Sequence, residues 1–160
     1  ELNDAYIFAY TIGITTQPTI QQADLADTLI RKHLAKMISN FAVKQLGQIP
    51  NTGLVCSFTD MDDESIEMKF YAKTACQLGL MGLDVNGVPI STFNPNGKVT
   101  RAQFGTVLSR ALYGDLYNRG TPYYLNHLNA LKINNIITNT DPSLQELRGY
   151  VMLMLMRAID

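Results

Sequence analysis

The chain has 160 residues, 46% of them hydrophobic and 17% charged, which excludes a disordered segment and suffices for one ordinary core or a few small repeated units. Thirteen Lys and Arg stand against 14 Asp and Glu, so no basic field attracts nucleic acid or an anionic membrane, and any anion has to be bound locally. The longest apolar run near the end, 151–156, is far shorter than the roughly 20 residues that cross a bilayer, so no membrane span is expected.

From the N-terminus, residues 5–12 predict a helix that stops at Gly13-Ile14-Thr15-Thr16. A second helix is expected over 29–38, where Leu34, Met37, Ile38 and Phe41 mark one buried stripe, with a helical extension through Leu46. A linker rich in Gly, Pro and Asn then leads to Val55. A Phe58-Thr59-Asp60 turn precedes a helix over 64–78, which Gly79-Leu80-Met81-Gly82 terminates. The loop over 84–97 ends in Asn94-Pro95-Asn96-Gly97, which carries turn chemistry. Thr100 and Gln103 are spaced as a capping box for the next helix, whose stripe is Phe104, Val107, Leu108, Ala111 and Leu112. Residues 123–133 predict a further helix, followed by Asn135-Ile136-Ile137-Thr138, a loop through Asp141-Pro142 and a last helix over 146–155. Thr19 with Gln22 and Ser143 with Glu146 are candidates to cap extra turns upstream of the outer copies' second helices.

Helix, stop, loop, helix thus occurs three times, over 1–50, 51–115 and 116–160. Aligning the second helices puts Arg31, Arg101 and Arg148 in register, at intervals of 101 − 31 = 70 and 148 − 101 = 47 residues. Each helix pair is too small to bury its own faces, so the expected class is all-α, with three pseudo-three-fold-related repeats around a shared helical core. An Arg in a helix's first turn opposes the dipole by roughly 0.3 to 1 kcal/mol. Three such residues in register point to a compensating anion, for which a carboxylate held by the guanidinium and by free helix amides is the natural form. A neighbouring Asp or Glu of the chain itself is the other way to compensate an Arg.

Phe58-x-Asp60, Gly79 and Gly82, Phe93-x-Pro95 and Val99-Thr-Arg-Ala-Gln-Phe104 closely resemble the S-layer homology family. The match is strongest in the middle copy, and the order of elements extends it over the whole chain. The resemblance implies a non-catalytic, extracellular module without a cofactor. Such a module anchors a protein at the cell wall by binding acidic, pyruvylated-type secondary polysaccharide in grooves between repeats. The residues it implicates are Arg31, Arg101 and Arg148 with Asp60, Gly79, Gly82, Thr100 and Gln103. Where the family usually has Glu, this chain has His33, Gln103 and Tyr150. With no Trp, a stacking platform for sugar falls to tyrosines such as Tyr71, Tyr123 or Tyr124. The competing role is structural: association with other surface-layer subunits in a lattice or filament. Replacing Arg101 by Ala is expected to weaken glycan binding by roughly 1.5 to 3 kcal/mol and to leave folding nearly unchanged.

Cys56 and Cys76 suit one disulfide or two buried thiols and form no CxxC pair; in an exported module they are expected to be bridged. The acidic run Asp60–Glu64 reads as a helix start rather than a metal site, and Asp84-Val-Asn-Gly87 as a turn rather than a calcium loop. His33 and His127 sit in no nucleophile–base motif and read as structural or surface residues. Met152, Met154 and Met156 read as core filler, and Lys32, Lys36 and Lys44 as a solvated face.

Overall fold

The computed structural model describes all residues, Glu1–Asp160, as six α-helices with isolated backbone bridges and no strands. In chain order α1 spans Leu2–Thr11, α2 Arg31–Asn40, α3 Ile66–Gln77, α4 Arg101–Tyr113, α5 Leu125–Ile133 and α6 Arg148–Arg157. The all-helical class is as expected, with helix ends displaced by a few residues. α2 continues into a π-helical turn, Phe41–Gln45, capped at Leu46, which is the extension read from the sequence. No helix is long and apolar enough to cross a membrane.

The odd-numbered helices end alike. Backbone amides of Ile12, Leu78 and Asn134 close the last α turn on Phe8, Thr74 and Ala130. The next residue is left-handed in each: Gly13 at φ 78°, Gly79 at 77° and Asn135 at 60°. Two following amides then converge on one carbonyl, Ile14 and Thr15 on Ala9, Leu80 and Met81 on Ala75, Ile136 and Ile137 on Leu131. A left-handed residue costs Gly nothing and Asn little, which is why those types stand at all three stops.

The even-numbered helices begin alike. Ile30, Thr100 and Leu147 are extended N-caps, and the first two helical amides go to loop carbonyls. Arg31 and Lys32 donate to Gly97 and Pro95, Arg101 and Ala102 to Leu144 and Pro142, Arg148 and Gly149 to Asp27 and Leu25. These loop carbonyls satisfy amides that the helix leaves open, so Ile30 and Leu147 serve as caps without a polar side chain. Only Thr100 forms the expected capping box with Gln103. The candidate upstream caps do not start helices: Thr19 and Gln22 form an isolated turn, and the Ser143 hydroxyl donates to Asp141 instead.

The chain divides into two compact units, Glu1–Leu29 with Val99–Asp160, and Ile30–Lys98. In the first, α1 packs on α6 and α4 on α5. Its centre holds Phe104, Leu108, Leu128, Leu131, Val151 and Leu155; of the three expected core methionines Met152 and Met154 are buried with them, whereas Met156 is half-buried near the end of α6. Three peptides of this unit close a ring: Leu29 donates to Glu146 (2.9 Å), Glu146 to Val99 (2.9 Å) and Val99 back to Leu29 (3.1 Å). In the second unit α2 packs on α3 around Leu34, Ile38, Phe41 and Ala75. Cys56 and Cys76 are disulfide-bonded, with Cα atoms 6.1 Å apart, and tie the linker to α3. Lys32 and Lys36 depart from the expected solvated face, since they pair with Glu64 and Glu67 at 2.9 Å. Asp84 accepts from the amides of Asn86 and Val88, the plain turn read from the sequence.

Candidate functional site

α4 starts where the loop after α5 crosses it, and this crossing builds an open groove of about 460 Å³. Ile137, Leu144, Leu153 and Met154 supply its apolar lining, and Arg101, Thr138, Asn139, Tyr150 and Arg157 its polar groups. Tyr150, Leu153, Met154 and Arg157 recur at the 3- and 4-residue spacing of one face of α6, so the helix presents a continuous stripe to the groove. Apolar lining with a few convergent polar groups is the usual make-up of a small-ligand site.

Arg101 is only 5% exposed, and its fork is taken by this chain. Nε donates to Glu146 Oε2 at 2.7 Å, Nη2 to Glu146 Oε1 at 2.8 Å and Nη1 to the Asn139 carbonyl at 2.8 Å. Glu146 is fully buried. Burial pushes its carboxyl above the ordinary value, against the opposing hydrogen bond and charge of Arg101. The first-turn amides are also occupied: Arg101 on Leu144, Ala102 on Pro142, Gln103 on the Thr100 hydroxyl. The expected compact pocket of free amides beside a free guanidinium is therefore not formed at this helix start. The compensation for the first-turn Arg is an internal carboxylate, so the expectation that Arg101→Ala leaves folding unchanged is corrected as well.

Arg31 belongs to the second unit. Its Nε donates to the Phe93 carbonyl at 2.8 Å, and its guanidinium lies 5.1 Å from the Phe93 ring centroid. Asp60 accepts from the amides of Phe93 (2.8 Å) and Asn94 (2.7 Å), holding the loop that carries the Phe-x-Pro motif. Desolvation raises the Asp60 carboxyl, but these amides, its own amide and Arg31 outweigh it and hold it below the usual range. Gly79 is the left-handed helix stop. Gly82, at φ 74°, lies against aromatic rings, where a Cβ would come within 2.6 Å of Phe58. Thr100 and Gln103 cap α4. Arg148 is half-buried at the start of α6 and does not line the groove. Of the implicated residues, the groove thus contains Arg101 alone; Asp60, Gly79, Gly82, Thr100 and Gln103 shape the backbone.

Asn139 and Arg157 were missed by the sequence reading. Arg157 was legible in principle, since it stands seven residues after Tyr150 on the same helical face. Its guanidinium pairs with the exposed Glu1 at 3.0 Å and retains access to solvent. Asn139 carried no signal, because its place depends on where the loop crosses α4. Tyr71 lies edge-on to Phe70 (5.3 Å), with Lys36 6.0 Å from its ring, whereas Tyr123 is 51% exposed. Comparison of the chain with protein-family models gives no match, and comparison with curated proteins finds no relative.

Proposed function

We propose that the protein is a non-catalytic, three-repeat module of the S-layer homology type that binds acidic cell-wall polysaccharide outside the cell. The observation that carries this reading is the threefold recurrence of one backbone device. Three helices stop on a left-handed residue with paired amides on one carbonyl, and three helices start on loop carbonyls. The closed ring through Leu29, Val99 and Glu146, one peptide from each copy and all within the first unit, supports this reading. The Cys56–Cys76 bridge supports an oxidising compartment. The groove beside α6 is the proposed glycan site, with Tyr150 as stacking surface, Asn139 as hydrogen-bonding group and Arg157 as the cation that meets the acid. Arg101 holds the groove wall in place through Glu146.

Co-sedimentation with purified cell-wall polymer tests this. Tyr150→Ala and Arg157→Gln are each expected to weaken binding about tenfold or more, the worth of one charged hydrogen bond or one stacked ring. Unchanged binding in both folded variants would remove the groove from the mechanism.

A second reading has its own observation. The Arg101 fork is saturated internally, and Ile66 and Phe70, one turn apart on α3, are 87% and 60% exposed. Both suit a module that associates with other surface-layer subunits. Concentration-dependent assembly without glycan, abolished by Phe70→Ser, would favour that role.

A further inference from the structure

Arg110, in the last turn of α4, stands nine residues beyond Arg101, about 13 Å along the helix axis and away from the groove. It is half-buried, and no Asp or Glu forms an ion pair with it. Its Nε donates to Asn118 Oδ1 at 2.9 Å, which fixes the plane of the guanidinium. Four of the chain's 8 tyrosines fall in the short stretch from Tyr113 to Tyr124 that follows it in the chain. Tyr113, one turn further along the same face of α4, meets Tyr117 edge to face at 5.5 Å, and Tyr123 meets Tyr124 at 5.3 Å. Tyr123 and Arg110 are close enough to interact electrostatically. His127, at this end, is fully buried and held uncharged at neutral pH, and Arg119 in the same stretch is exposed to solvent.

A desolvated guanidinium without a carboxylate is unfavourable, and a planar carboxylate from outside is the partner its fork suits best. Tyrosine faces add an apolar surface for the C–H face of a ring, with hydroxyls free to meet polar substituents. We propose that Arg110 and the tyrosines Tyr113, Tyr117, Tyr123 and Tyr124 form a second saccharide site that takes a carboxylate-bearing sugar ring. The carboxylate pairs with Arg110 and the ring lies against Tyr123. The ligand class rests on the glycan reading above; the site is independent of the groove.

The test uses tetragalacturonate as probe, with calorimetry and NMR of the tyrosine rings on the whole chain. The wild-type protein is expected to show shifts at Tyr113, Tyr117, Tyr123 and Tyr124. Arg110→Gln and Tyr123→Ala, checked for folding by circular dichroism, are expected to raise Kd at least about tenfold, and Tyr150→Ala to leave these shifts in place. Absence of the shifts in wild-type protein, equal affinity in either folded variant, or equal shifts with neutral galactotetraose or inorganic phosphate would overturn the site. The groove reading fails separately, when Tyr150→Ala and Arg157→Gln still bind purified cell-wall polymer normally.

Discussion

Arg101 and Glu146 show how a single carboxylate changes what an arginine can do. A first-turn guanidinium in solvent is available to ligands; this one is bonded twice to a fully buried carboxylate. Removing one partner strands the other charge, so Arg101→Ala or Glu146→Leu is expected to cost about 3 to 5 kcal/mol in denaturant unfolding, whereas replacing both with packed apolar residues recovers much of it. A loss below about 1 kcal/mol for either single change would mean that the pair is not closed in solution. His127 makes a second prediction. Its Nδ1 lies 2.8 Å from the Ser109 hydroxyl oxygen, its Nε2 is buried without a hydrogen-bond partner, and burial first, then the Arg110 charge, lowers its pKa to about 4. Between the ordinary value near 6.5 and about 4 the unfolded chain binds this proton and the folded chain does not. Stability therefore falls as pH drops through that window, by up to about 3 kcal/mol, and the group contributes no pH dependence above it. NMR titration of the ring is expected to show a midpoint near 4; one at 6 or above would contradict this packing.

The helices illustrate how little of their placement comes from side-chain caps. α2 and α6 begin on Ile30 and Leu147, poor caps by type, and loop carbonyls meet their first amides. The same crossing makes Gly149 necessary. A Cβ there would lie 2.9 Å from Leu25 Cβ and 3.0 Å from the Leu25 carbonyl oxygen, atoms that no rotamer change can move. Gly→Ala in an exposed helix stabilises by about 1 kcal/mol; Gly149→Ala is expected instead to destabilise by about 1 to 3 kcal/mol, because the overlap exceeds the propensity gain. Thermal melts decide the sign. The helix stops were legible at Gly13, Gly79 and Asn135, since those residue types answer a local need for positive φ. Among the even-numbered helices the start was legible only at Thr100 with Gln103, the one of the three whose cap is local in sequence.

For the whole chain, the Cys56–Cys76 bridge acts mostly on the unfolded state. It closes a loop of 20 residues' separation, so reduction, or the paired Cys56→Ser and Cys76→Ser change, is expected to cost about 3 kcal/mol without altering helix content. Equal denaturation midpoints with and without reductant would show that the linker is held by Asn51 and Gln77 alone, which already bond it to the end of α3. By itself the sequence determined what depends on neighbours along the chain: the helical class, the stops, the Thr100–Gln103 box and the register of Arg31, Arg101 and Arg148. Tertiary structure alone decided which charges stay available to a ligand. Glu146 is 45 residues from Arg101, Asp27 is 121 residues from the Arg148 amide it receives, and Asn139 reaches the groove only because its loop crosses α4. Periodicity reports which face of a helix is apolar. It carries no information on which distant carboxylate or carbonyl arrives at its polar end.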